Sequence, residues 1–327
     1  MIAAMDSLEP VAASPKPPRR KRAANAAAPS EKAPVCHILP SWLPRAAQGG
    51  DAPPAFAAGA VVFALDQIVR ADPAWLEAWR ARQALRAAAA SARSLRHRED
   101  EAALRDAHHL TRPGDDPGPA GKLYRLWRAF SARPTRLAGP CLAALADTLG
   151  ARAPAGAFDG LTLASDHPDP LAAALAAADA CVRGFGVGGG EAAVLAAMAA
   201  DLVLAHRLGW PRPLPLFFAG AAGRRTPAAE GYARIVREAL VCHGQAMDLE
   251  GRAARLIAAA AAVRVKGADR GVAALLADDV VAAADLARPD AAALGSDRAA
   301  RRFLDRLVAL GALREMTRRP TFRLYGL

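Results

Sequence analysis

The chain has 327 residues, 53% of them hydrophobic, enough for one large or two ordinary cores, and the alanine-heavy apolar fraction favours helix over sheet. Its formal charge of +11 would ordinarily point to a polyanionic partner, but lysine occurs only at Lys16, Lys21, Lys32, Lys122 and Lys266, and such arginine and alanine excess also follows from GC-rich codon use. No run approaches the roughly 20 apolar residues that span a bilayer, the start lacks a secretory core, and Cys36, Cys141, Cys181 and Cys242 are scattered without CxxC spacing, so the expectation is a cytoplasmic protein with free thiols and no membrane partner.

In chain order, residues 1–37 read as a disordered basic arm, proline-rich and carrying Arg19-Arg20-Lys21-Arg22. Residues 38–266 read as an α-helical body. Val61, Val62, Leu65, Ile68 and Val69 give one apolar helix face before Pro73 starts a second helix, where Trp75 and Trp79 stack four residues apart in the core. Further helices are predicted over 98–110, 120–132, 136–149, 168–183, 191–208, 226–244 and 248–266. The run Pro113-Gly114-Asp115-Asp116-Pro117-Gly118-Pro119 is a loop, and Pro211, Pro213 and Pro215 break the chain after Gly209.

Residues 267–327 read as a winged-helix-like module. After a helix over 271–285, Ser296 caps a second one that Gly311 ends. Ala300, Phe303, Leu304, Leu307 and Leu310 share one side; Arg298, Arg301, Arg302 and Asp305 share the other. Two β-prone runs, 312–316 and 321–325, then make a hairpin with Arg318 and Arg319 at its tip. The fold class is therefore mainly α, a multi-helix body followed by a small module with a C-terminal hairpin. Arg298, Arg301, Arg302, Arg318 and Arg319 are the candidate contacts to double-stranded DNA; the competing reading makes the module a packing surface for a protein partner or a second copy.

Several segments carry a resemblance: Glu99-Asp100-Glu101-Ala102-Ala103-Leu104-Arg105-Asp106, Arg112-Pro113-Gly114-Asp115-Asp116, Lys266-Gly267-Ala268 and the ending Arg319-Pro320-Thr321-Phe322-Arg323-Leu324-Tyr325-Gly326-Leu327. With them the chain resembles an uncharacterised alphaproteobacterial family defined as a domain of unknown function, which brings no chemistry with it. More distantly, Arg183-Gly184-Phe185-Gly186-Val187-Gly188-Gly189-Gly190-Glu191 is similar to the HPFx[DE]GNGRxxR motif of Fic-type proteins, helical enzymes that transfer AMP and often carry a C-terminal winged helix. That resemblance implies a nucleotide site, but Arg183 stands in the place of the base histidine and Val187 in that of the metal-binding acid. Gly188, Gly189 and Gly190 remain as an anion-binding turn before a helix, against the plainer reading of a tight bend between packed helices.

Cys36-His37 and Cys242-His243 fit no zinc spacing, and His108-His109 and Asp166-His167 read as surface or cap residues. No catalytic residue, metal or cofactor is assigned. The expectation is a non-catalytic regulator or interaction protein, with a diverged Fic-like nucleotide enzyme as the alternative.

Overall fold

The computed structural model describes residues 38–327 apart from 47, 49–51, 113, 138, 187–188, 218–227, 289–293, 318 and 320; the expected basic arm lies outside the described residues. Two helices, α3 (Leu76–Ser94) and α9 (Gly190–Leu208), are enclosed on nearly all sides, each with 14 of 19 residues buried. Alanine supplies eight of the buried positions in α3 and seven in α9, so neighbouring helices approach closely at little cost in side-chain entropy.

The remaining helices wrap this pair. They run as α1 (Leu43–Ala46), α2 (Pro54–Ala71), α4 (Glu101–His109), α5 (Gly118–Ala132), α6 (Gly139–Leu149), α7 (Gly160–Ser165), α8 (Pro170–Phe185) and α10 (Ala228–Ala262). Helix α8 packs along α9, α2 along α10, and α5 along α3. The helices predicted over 226–244 and 248–266 are one continuous element, α10, because the intervening Gln245, Ala246 and Met247 are all good helix formers. Pro73 does not open α3; its carbonyl accepts the amide of Leu76, where the helix begins.

Trp75 and Trp79 are both core residues, but their rings meet edge-on, with centroids 6.2 Å apart at 76°. The indole N–H of Trp79 donates to the carbonyl of Cys242 at 3.1 Å, pinning α3 to α10. Helix α2 is the one described helix long and apolar enough to cross a membrane by length and composition, a candidate the sequence reading passed over. Nine of its 18 residues are buried, and it carries Asp66, which accepts from Arg70 at 2.7 Å and from the Trp210 indole at 2.8 Å.

The proline break after Gly209 follows a helix terminated by that glycine at φ 68°. Prolines in this loop lack amide protons, and it presents carbonyls instead: Arg80, buried, donates to those of Arg212 and Pro213, each at 3.1 Å.

The C-terminal portion comprises α11 (Ala268–Ala277), β1 (Val281–Ala282), α12 (Ala283–Ala287), α13 (Asp297–Ala309), β2 (Arg314–Glu315) and β3 (Leu324–Gly326). The helix expected over 271–285 is thus split. Asp278 turns extended after α11, β1 forms, and the Asp285 carboxylate accepts the Ala282 amide at 3.0 Å to start α12. The sheet order is β1-β3-β2, all antiparallel, with Tyr325 opposite both Val281 and Glu315. The two expected strands are present but shorter than predicted. Gly326 has no room for a side chain: a Cβ there would stand 2.6 Å from the Asp279 carbonyl.

Replacing Trp79 with alanine removes a fully buried indole and the α3–α10 hydrogen bond. We expect a loss of about 3–5 kcal/mol of unfolding free energy, read from urea denaturation; a change below about 1 kcal/mol would show that the two helices are held by other contacts.

Candidate functional site

Helix α13 begins at Ser296, whose hydroxyl oxygen accepts the Ala299 amide at 3.2 Å, and closes before Gly311 at φ 69°. Ala300, Phe303, Leu304 and Leu307 are buried as predicted. Leu310, expected among them, is exposed because it lies past the last helical turn. On the opposite face Arg298, Arg301, Arg302, Asp305 and Arg306 are exposed.

Arg301 is paired with Asp297 one turn earlier at 2.7 Å, an exposed pair of the kind worth only about 0.3–0.5 kcal/mol. Asp305 accepts from the Tyr325 hydroxyl at 3.1 Å. Arg298, Arg302 and Arg306 have no carboxylate partner among the described residues. They recur every four residues and so line one stripe. Arg306 was missed in the sequence reading, although the same i,i+4 step that joins Arg298 to Arg302 leads to it.

The hairpin tip behaves differently. Arg318 lies outside the described residues, and Arg319 is bound to Asp106 of α4 at 2.8 Å. Its charge is directed to the helical body, and it does not join the α13 stripe as an unpaired group.

The turn between α11 and β1 anchors the C-terminal portion. Asp279 is 1% exposed, and its carboxylate accepts from Arg82 Nε of α3 at 3.2 Å and from Arg105 Nε of α4 at 2.6 Å. Asp278 receives both terminal nitrogens of Arg128 from α5, at 2.5 and 2.8 Å. Burial opposes the Arg128 charge, but Asp278 overrides it and holds that pKa above its ordinary value. Three arginines from three helices thus meet two adjacent aspartates. Nothing in the sequence marked these aspartates, since the helical pattern ran through them.

Behind this cluster, His108 and His109 pack on the Tyr124 ring, with His108 5.1 Å from it. Of the two readings, surface or cap, they take the second in part: they are half-buried in the last turn of α4, packed on the core. Burial pushes the His108 pKa down to about 3, helped by His109, Arg128 and Arg125. His108 Nδ1 and His109 Nε2 have no hydrogen-bond partner.

The chain matches a family described as Protein of unknown function (DUF1403) over residues 28–327. It belongs to the DUF1403 family. No curated protein and no solved structure matches it.

Elsewhere in this DUF1403 chain Cys181, Cys242 and Asp201 are committed to the core. The Cys181 thiol is pushed up to about 12 by burial, and the buried Cys242 thiol is raised as well, so neither is a ready nucleophile. Asp201, on α9, is raised well above the carboxylate range by burial; its Oδ1 accepts the amides of Leu216 and Phe217 at 2.8 and 3.1 Å, fixing the proline loop. Among the described residues no three His, Cys, Asp or Glu side chains gather as a metal would need.

In the glycine-rich turn, Gly188 lies outside the described residues. Gly186 ends α8 at φ 70°, Gly189 precedes α9 and Gly190 opens it. A Cβ on Gly190 would stand 2.7 Å from the Ser94 carbonyl, and one on Gly184 2.2 Å from that of Ala157. Backbone approach therefore accounts for these two glycines. A cavity of about 280 Å³ lies beside the turn, with Arg152 and Glu191 on its wall.

Two outcomes follow. Asp279→Asn leaves Arg82 and Arg105 facing a neutral amide in a buried site, and we expect a loss of about 3–5 kcal/mol in urea unfolding; unchanged stability would remove the cluster from its anchoring role. For His108, the unfolded imidazole takes up a proton near 6.5, while the folded one resists until about 3. The unfolded state binds more protons across that window, so stability falls as the pH is lowered through it. His108→Leu is expected to flatten that decline in thermal melts between pH 7 and 4, and an unaltered slope would refute it.

Proposed function

We propose that this protein is a DNA-binding regulator whose C-terminal portion is a winged helix with α13 as its reading helix. The observation that carries the reading is the unpartnered guanidinium stripe of Arg298, Arg302 and Arg306 on an element whose other face is buried. The order helix, strand, two helices, then two strands, with β3 central in the sheet, supports the winged-helix assignment. From Arg298 to Arg306 the stripe spans about 12 Å along the helix axis, comparable with the roughly 12 Å width of the DNA major groove.

In this reading Arg319 sets the position of the hairpin tip through Asp106, and the α13 stripe carries the contact to DNA. The alternative nucleotide-binding reading of the glycine turn is less well supported, because close packing against Ser94 and Ala157 already explains Gly190 and Gly184.

The test is a salt titration of binding to duplex DNA by fluorescence anisotropy. Arg302→Ala combined with Arg306→Ala removes two phosphate-neutralising charges, so the slope of log K against log salt should become shallower by about 1.8. Curves that superimpose on those of the unaltered protein would overturn the proposal. Both side chains are exposed, so the variant is expected to fold normally.

A further inference from the structure

A polar cavity of about 210 Å³ opens where α3, α4 and α10 meet the C-terminal sheet. It is bounded by arginines from every one of these elements: Arg82 and Arg86 from α3, Arg105 from α4, Arg252 from α10 and Arg314 from β2. The facing acceptors are the carboxylates of Glu101, Asp248 and Asp279, the Gln245 side chain and Leu327, whose main-chain oxygen takes Arg82 Nη2 at 2.6 Å. Charge matching within the wall uses only part of each guanidinium group. Arg105 spends its Nε on Asp279 at 2.6 Å, and Arg252 spends its Nε on Asp248 at 2.7 Å. The two terminal nitrogens of each have no hydrogen-bond acceptor among the described residues, and none is sealed from solvent. Arg314 has no carboxylate partner there at all. Arg86 is answered by Glu238, which is outside the wall.

The wall therefore carries five arginines against three side-chain carboxylates, and the terminal nitrogens of Arg105 and Arg252 and the whole of Arg314 are left over. Donors of this kind are satisfied by an oxyanion, and the planar guanidinium fork matches phosphate oxygens two at a time. Volume restricts the ligand further. The cavity is below the roughly 300–1,000 Å³ of sites that enclose drug-sized molecules, and holds about seven waters at about 30 Å³ each. That suits a phosphate group on a small molecule and excludes a nucleic-acid duplex.

We propose that this cavity binds a small phosphate-bearing anion, held by the terminal nitrogens of Arg105 and Arg252 and by Arg314. Its wall combines the body with the C-terminal sheet, so the ligand braces the two against each other. The site is separate from the α13 stripe, and its existence does not depend on DNA binding.

The test uses the full chain, without DNA, at pH 8 and constant ionic strength, with inorganic phosphate as the probe in isothermal titration calorimetry. We expect saturable single-site binding, weakened at least tenfold by Arg314→Ala and retained by Arg302→Ala. Arg314 is exposed and unpaired, so its removal should leave the melting temperature without phosphate unchanged; Arg252→Ala serves as a second variant. No saturable heat, equal affinity in both cavity variants, or a loss with Arg302→Ala would overturn the proposal, the last by moving the anion to α13.

Discussion

The adjacent aspartates between α11 and β1 form the contact on which the placement of the C-terminal portion depends. Burying a charge is expensive unless it is paired and hydrogen-bonded. Asp279 meets this condition by accepting from two helices at once, and Asp278 by taking a bidentate guanidinium from a third. The geometry is specific as well as favourable: a fork from α5 and two side-on donors from α3 and α4 fix the turn in three directions. Tyr124, His108 and His109 lie behind it, and burial there lowers the pKa of both imidazoles. Arg82 extends the network through its bond to the Leu327 carbonyl at 2.6 Å, so Leu327 is tied to the same centre.

The body owes its form to a different constraint, the narrowness of its two enclosed helices. Alanine buries little area per residue, so the larger contributions come from the side chains placed where helices cross: Trp79, Trp127, Tyr124 and Phe130, all essentially inaccessible. Their polar atoms are accommodated. Trp127 donates to Ser91 at 2.9 Å and Trp79 to the Cys242 carbonyl, consistent with the cost of leaving an indole N–H unpaired inside a protein.

Much of the helical body was legible in the sequence because periodicity, capping residues and prolines all acted locally. Ser296, Gly209 and Gly311 ended or began helices as their chemistry dictates. The helix boundaries expected at 120–132, 136–149 and 191–208 fall within a few residues of α5, α6 and α9. What the sequence concealed was set by distant partners. Asp278 and Asp279 sit in a run whose apolar spacing continues through them, and only arginines from about 150 to 200 positions earlier reveal their purpose. The short strand β1 was hidden for the same reason, since two residues carry no period of their own. On the basic face the sequence marked Arg298, Arg301 and Arg302. It could not show that Arg301 is engaged by Asp297, that Arg319 turns to Asp106, or that Arg306 completes the stripe.

Helix α10 has a mechanical consequence. At 35 residues it is roughly 50 Å long, touching α1, α2, α3 and α8 in the body and α11 and α13 beyond it. A strut of this kind couples its ends: the rows of side chains at either terminus cannot rotate about the axis independently without shearing the hydrogen bonds between. Glycine occurs in it at Gly231, Gly244 and Gly251, and at each the backbone costs about 1 kcal/mol more to hold helical than alanine would. Stiffness along the rod means that a displacement of α11 or α13 is passed to the body helices that α10 touches.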